Sequence, residues 1–245
     1  MCVPRATVLI FAKLPDAGRV KTRLVPPLSH DEAAVLHKAS LLAVCENVGH
    51  LRRAMPRIEP IWVVTPDERI TDAAAIAGDA VSASWPQGDG DLGQRMERAT
   101  HRAFAGGAQC VLLLGADSPT LPEQILADAV DQLVKKDAVL RPCEDGGYYL
   151  LGLRRTLPEL FEDIDWGGPL VLEQTRRRAA NAHVELHELP VWYDLDRFGD
   201  LQRAAQDMMQ DALASPRPAR DGLRRLINHY LIRYGDGRVH ETQPR

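Results

Sequence analysis

Six short apolar runs recur along the chain, and stretches with helical spacing separate most of them. The runs fall at residues 7–12, 58–65, 110–116, 137–141, 148–153 and 183–189; the clearest helical patterns fall at 30–48, 92–104, 122–135, 169–180 and 198–214. Alternation of this kind predicts an α/β fold with a mainly parallel, doubly wound sheet flanked by helices. Ser29 or Asp31 caps the first helix, and Pro122 sits near the start of the third. The span 137–153 breaks the pattern, because two strands meet at Asp145-Gly146-Gly147 with no helix between them, which predicts an inserted β-hairpin. Beyond residue 214, Ser215-Pro216-Arg217-Pro218-Ala219-Arg220 reads as a linker, followed by a helix at 223–234 and a frayed tail. The expected division is therefore a main domain at 1–214 and an appended segment at 215–245.

At 245 residues the chain is long enough for one large domain or two small ones. A net charge of −4 argues against general nucleic-acid binding. Cys2, Cys45, Cys110 and Cys143 have no metal-binding spacing and suit buried thiols in a reducing cytosol. No signal-peptide pattern precedes the first strand, and no apolar run approaches the ~20 residues that span a bilayer. A soluble cytoplasmic protein without membrane or nucleic-acid partners is expected.

Residues 13–23, after the first strand, carry four cations: Lys13, Arg19, Lys21 and Arg23. Pro15 and Gly18 make this exit a turn, and backbone amides around a glycine can converge on an anion while the cations supply charge. A phosphate-binding loop and a solvated basic loop both fit. The segment is not a Walker A loop, since Arg19-Val20 separates Gly18 from Lys21-Thr22. The apolar run ending Leu114-Gly115-Ala116 delivers Asp117 at the carboxyl end of its strand, which suits a magnesium ligand or a helix-preparing turn. Glu144-Asp145-Gly146-Gly147-Tyr148-Tyr149 pairs acidic residues with glycines that permit close backbone approach, or simply forms the hairpin turn. Gln87-Gly88-Asp89-Gly90-Asp91-Leu92-Gly93 opens a helix whose free amides can read a base, ribose or phosphate, with Asp91 as the alternative N-cap. Asp194-Leu195-Asp196 sends two carboxylates to one face if extended. Trp166-Gly167-Gly168 offers an aromatic platform or a core contact. The eight histidines show no ligand spacing, so each reads by default as exposed or satisfied.

Taken in order, FAKLPDAGRVKTRL, QGDGDLGQRM, GADSP, EDGGYYLLGL, WGGP and DLDRFGDL resemble a bacterial GT-A-fold family of nucleotide-diphospho-sugar transferase-like proteins, proposed to act as glycosyltransferases in arsenosugar-type pathways. The wider group includes molybdenum-cofactor guanylyltransferase-like nucleotidyltransferases. The resemblance implies a Rossmann-like GT-A domain over 1–214. It implies that Lys13, Gly18, Arg19, Lys21 and Arg23 hold nucleotide phosphates, and that Asp91, Leu92 and Gly93 lie near the base or sugar. Asp117 would bind the metal, Asp196 would be a second ligand, and Asp145, Gly146, Gly147, Tyr148 and Trp166 would shape the acceptor side. The chain departs from the family at Arg141-Pro142, Trp166-Gly167-Gly168 and Ala43, which bears on the acceptor. The implied activity is Mg²⁺- or Mn²⁺-dependent glycosyl transfer from a nucleotide sugar to a small-molecule acceptor, with Asp145 or Asp196 as base. The alternatives are nucleotidyl transfer from an NTP with release of pyrophosphate, and non-catalytic nucleotide binding.

Overall fold

The strands Ala6–Lys13 (β1), Ile58–Thr65 (β2), Ala83–Pro86 (β3), Cys110–Gly115 (β4), Ala138–Pro142 (β5), Tyr148–Leu153 (β6) and Leu186–Glu188 (β7) form one sheet in the order β3-β2-β1-β4-β6-β5-β7. They belong to a computed structural model that describes residues 5–211 and 217–235. The helices are His30–Ala54 (α1), Ile70–Ala77 (α2), Leu92–Ala105 (α3), Glu123–Gln132 (α4), Val171–Asn181 (α5), Phe198–Asp211 (α6) and Pro218–Tyr234 (α7). Only β6 runs against its neighbours, pairing antiparallel with β4 and β5. The mainly parallel α/β sheet with an inserted hairpin is thus what forms.

β1 lies between β2 and β4, so both of its edges are paired, and buried clusters cover both of its faces, so its residues need not alternate in polarity. Val8 and Ile10 pack with Trp62 and Leu112 on one face, while Leu9 packs with Val63, Leu113 and Phe161 on the other. Fully burying each such aliphatic side chain contributes about 1.5–3 kcal/mol, which places most of the driving force in the sheet. α1 begins with a capping box, in which Ser29 accepts from the Glu32 amide and Glu32 accepts from the Ser29 amide.

The C-terminal helix is built into the core. Leu223, Ile227 and Tyr230 of α7 share an apolar cluster with Leu36 of α1 and Leu201 of α6. Glu46 accepts the amides of Ala219 and Arg220 at one end of α7, and Glu32 accepts the Tyr234 hydroxyl and an Arg233 nitrogen at the other. α7 starts five residues before the expected Leu223, with Pro218 in its first turn, where a missing N–H costs nothing. Ser215 and Pro216 of the expected linker, residues 212–214 of the expected helix, the tail at 236–245 and Cys2 lie outside the described residues.

Two elements have no counterpart in the sequence reading. α2 lacks a side-chain cap, and β3 is a four-residue edge strand ending in a proline. The run at 183–189 shortens to β7, because His183 takes a left-handed φ of 54° and, with Val184, closes the end of α5 onto the Ala180 and Ala179 carbonyls.

Cys45, Cys110 and Cys143 are buried free thiols. Burial pushes Cys45 and Cys143 up to about 12 and Cys110 to about 11. The thiolate is the reactive species, so at pH 8 these three are expected to resist iodoacetamide in the native protein and to react in denaturant, as read by peptide mass mapping. Rapid native labelling at any of them would show that its burial is wrong.

Candidate functional site

β1 and β4 pair parallel with Phe11 opposite Gly115, so the cationic loop and Asp117 leave the same edge of the sheet. The Leu195 amide donates to the Asp117 carbonyl at 2.9 Å, which ties the segment carrying Asp194 and Asp196 to that edge. A cleft of about 630 Å³ opens there, lined by Lys13, Arg19, Lys21, Arg23, Asp91, Leu92, Asp117 and Asp196. Eight of the residues singled out from sequence therefore meet in one cleft. Gly18 forms the turn that brings the cations round, with a φ of 75°.

Lys21 is the hub. Its Nζ lies 2.5 Å from Asp117 and 3.0 Å from Asp196, and Arg23 reaches Asp196 at 3.3 Å. Burial alone would lower the Lys21 pKa, but the two carboxylates outweigh it and hold it above the ordinary value. Asp117 shows the reverse balance: the surrounding protein pushes its carboxyl up, and Lys21 more than offsets this and holds it low. Its side chain nevertheless keeps 49% of its surface open to the cleft, so a ligand can reach it. On the Asp117 side the pair's stabilisation is present above the ordinary 3.8 and is lost as pH falls through the lowered value, and on the Lys21 side it is lost as pH rises through that group's raised value.

Asp194 sits beside this pair. Its carboxylate accepts a 2.5 Å hydrogen bond from the Ser118 hydroxyl, and burial still pushes it up to about 6. One ligand atom each from Cys143, Asp145 and Asp194 lie within 4.8 Å of one another, so Asp145 belongs to this neighbouring group and not to the cleft lining.

Three further lining residues were given no role of their own from sequence. Gln87 donates to the Ala12 and Val63 carbonyls and accepts from Arg95, so it buttresses the exit of β1 while Arg95 adds a fifth cation to the cleft. His37, on α1, donates from Nε2 to the Lys13 carbonyl at 3.0 Å. Burial lowers its pKa despite Asp117, so the ring is neutral at pH 7. Gln87 and Arg95 lie within a quoted motif and were legible there; His37 carried no local signal.

The glycine-rich loop is held by Asp67, which accepts the Gly88 amide at 3.0 Å. Asp91 is the N-cap of α3, accepting from the Gln94 amide at 2.9 Å in a capping box. Its backbone borders the cleft, but its carboxylate is committed to the helix.

Gly93, expected near the base or sugar, and the expected acceptor-side residues do not line the cleft. A Cβ on Gly93 would come 2.3 Å from Trp166 Nε1 and 2.7 Å from the Phe161 carbonyl, so this glycine lets α3 approach Trp166. Tyr148 meets Trp166 edge-on at 6.3 Å between centroids, which makes Trp166 a packing residue between α3 and β6. Gly146, with a φ of 89°, lies against the Pro169 carbonyl and accepts the Leu172 amide. Asp145 accepts the Gly147 amide at 3.0 Å and so closes the hairpin turn. Arg141, at one of the departures from the family pattern, is buried with its guanidinium 5.1 Å from the Trp192 ring centroid and 5.8 Å from that of Tyr149. Desolvation lowers its pKa.

Residues 51–168 match the model of a family described as an uncharacterized protein conserved in bacteria, DUF2064. The matched segment contains the glycine-rich loop, Asp117, the hairpin and Trp166, while the cationic loop precedes it and Asp196 follows it. The chain is 32% identical over 124 residues to a phosphoenolpyruvate guanylyltransferase of Mycolicibacterium paratuberculosis, covering 50% of this chain and 54% of that protein. It is 35% identical over 144 residues to a 3-phospho-D-glycerate guanylyltransferase of Phenylobacterium zucineum, covering 56% of this chain and 62% of that protein. The chain thus spans less than two thirds of these curated relatives. A solved structure from Desulfovibrio desulfuricans G20, named as a nucleotide-diphospho-sugar transferase, superimposes with a TM-score of 0.79 at 29% identity, covering 93% of this chain and 98% of that one. The fold is accordingly of the GT-A and nucleotidyltransferase kind. Among the described residues, no helix is long and apolar enough to cross a membrane.

Proposed function

We propose that the protein is a nucleotidyltransferase that joins the nucleoside monophosphate part of an NTP to a small phosphorylated acid and releases pyrophosphate. This reverses the preference for glycosyl transfer that the sequence resemblance suggests. The observation that carries the reading is the make-up of the cleft: five cations, Lys13, Arg19, Lys21, Arg23 and Arg95, gather round two carboxylates that already share a cation. Such a site suits a polyphosphate together with a metal ion. Both curated relatives are named guanylyltransferases of phosphorylated carboxylic acids, which supports the same chemistry.

Asp117 and Asp196 present hard oxygens, and the Lys21 ammonium between them supports a cation site, so these residues would hold Mg²⁺ or Mn²⁺. When bound, a divalent ion supplies Lewis-acid polarisation of a phosphoryl oxygen. The remaining chemistry belongs to the chain. An acceptor phosphate oxygen attacks the α-phosphorus, a new P–O bond forms, and the bond to the pyrophosphate oxygen breaks. Arg19, Arg23 and Lys13 take up the charge that grows on the leaving pyrophosphate, in a cleft where they are already in place. The neutral His37 anchors the Lys13 carbonyl and so fixes the start of the loop.

No general base is needed, because a phosphate monoester with a second pKa near ~6 is already a dianion at neutral pH. A hydroxyl acceptor would need one, yet each carboxylate lining the cleft is engaged: Asp91 in a helix cap, Asp117 and Asp196 on Lys21. Asp145, the other base candidate, is tied into its own turn.

Glycosyl transfer is the second reading, favoured by the name of the solved relative that covers 93% of the chain. The deciding assay supplies GTP, ATP, CTP or UTP with phosphoenolpyruvate or 3-phospho-D-glycerate and Mn²⁺, and in parallel supplies nucleotide sugars with the same metal. The expected result is pyrophosphate release that requires both NTP and acceptor. Nucleoside diphosphate released from a nucleotide sugar, with no pyrophosphate from any NTP, would install the glycosyl reading instead.

A further inference from the structure

Lys21 combines three features that do not belong together in a simple phosphate ligand. Its side chain is only 3% exposed, it bridges Asp117 and Asp196, and its backbone occupies the left-handed region with a φ of 47°. A lysine waiting for phosphate would hold its ammonium in water, where solvation is free. Here the ammonium has left water for a position between two carboxylates that repel each other unless a cation separates them. Arg23, the other cation on Asp196, is 59% exposed and among the described residues ion-pairs with Asp196 and not with Asp117. A four-carbon stem with rotatable bonds lets the ammonium move several ångströms without any change in the loop backbone.

We propose that Lys21 is a displaceable internal counter-ion: it occupies the position of the metal between Asp117 and Asp196 while the cleft is empty, and moves onto phosphate when metal and nucleotide enter together. This rests on the nucleotidyl-transfer reading of the cleft and adds an order of binding to it. A divalent ion alone must expel Lys21 from its partners into a cleft already lined by Lys13, Arg19, Arg23 and Arg95, so it binds poorly. A metal–nucleotide complex brings the anion that receives the ammonium, so metal and nucleotide bind with positive coupling. The carboxylate pair stays neutralised throughout, which spares the empty protein a repulsion at its sheet edge.

The test is a Mn²⁺ titration followed by electron paramagnetic resonance, without nucleotide, on wild type, Lys21→Met and Asp117→Asn. Lys21→Met is expected to bind Mn²⁺ about tenfold tighter than wild type, within the usual range of coupling between sites. Its melting temperature is expected to fall below that of wild type in chelator and to rise more on adding Mn²⁺. Equal Mn²⁺ affinity in wild type and Lys21→Met would overturn the proposal. Acetylation of wild-type lysines, mapped by mass spectrometry, covers the case in which the variant does not fold. Lys21 should resist acetic anhydride in chelator, react when saturating Mn²⁺ is added alone, and resist again when NTP joins the metal; protection unchanged by saturating Mn²⁺ alone would overturn it equally. Failure of the underlying reading looks different: wild type would then bind no Mn²⁺ even with NTP, or Asp117→Asn would bind it as well as wild type.

Discussion

Asp117→Asn is expected to lower turnover about a thousandfold while leaving the protein folded. The carboxylate, just past the end of β4, lines the cleft and contacts Lys21 at 2.5 Å. An amide keeps the shape but loses the charge, and neutral oxygens are poor ligands for a hard divalent ion. The several kcal/mol that a metal contributes to phosphoryl transfer, at about 1.4 kcal/mol per factor of ten, correspond to roughly three powers of ten. The cost in stability should stay near 1 kcal/mol or less, because Asp117 is half exposed and Lys21 retains Asp196. Pyrophosphate release and thermal melting measured on the same sample check both halves. A fully active Asp117→Asn enzyme would remove this residue from the reaction.

Gly146→Ala is expected to destabilise the fold by a few kcal/mol and to leave nucleotide affinity unchanged in the molecules that stay folded. An added Cβ would stand 2.2 Å from the Pro169 carbonyl oxygen, a backbone atom that cannot swing aside, and the residue's φ of 89° suits glycine. A left-handed conformation costs an alanine about 1–2 kcal/mol, and overpacking adds about 1–3 kcal/mol. A shift of the urea midpoint at constant slope would register this. The outcome separates two roles for the hairpin glycine, since a ligand-contacting Gly146 would instead weaken nucleotide binding at little cost in stability.

Local signals sufficed where the chain solves a local problem. The capping box at Ser29 and Glu32, the unbroken apolar runs of β1 and β4, and the Asp-Gly turn between β5 and β6 all act within a few residues. α2 and β3 were not legible because one has no side-chain cap and the other is a short edge strand. His37 was read as an ordinary histidine, since its partner is a backbone carbonyl 24 positions away, and backbone oxygens leave no trace in side-chain spacing. Trp166 was open between an aromatic platform and a core contact, and its close fit against Gly93, distant in the chain, decides for packing.

The sequence by itself determined the class of fold, the sheet edge on which its ends would gather, and the residue types available there: four loop cations, Asp117 and the Asp194-Leu195-Asp196 run. Those follow from periodicity and charge, which are properties of neighbouring residues. Only the tertiary structure decided which charges meet. Placing β1 beside β4 in register and tying Leu195 to Asp117 brings Lys21 onto Asp117 and Asp196, from positions 96 and 175 residues away. The same packing turned Asp145, Gly146 and Trp166 from expected ligand contacts into parts of the scaffold, because steric fit between distant segments acts over ångströms in space and has no period along the chain.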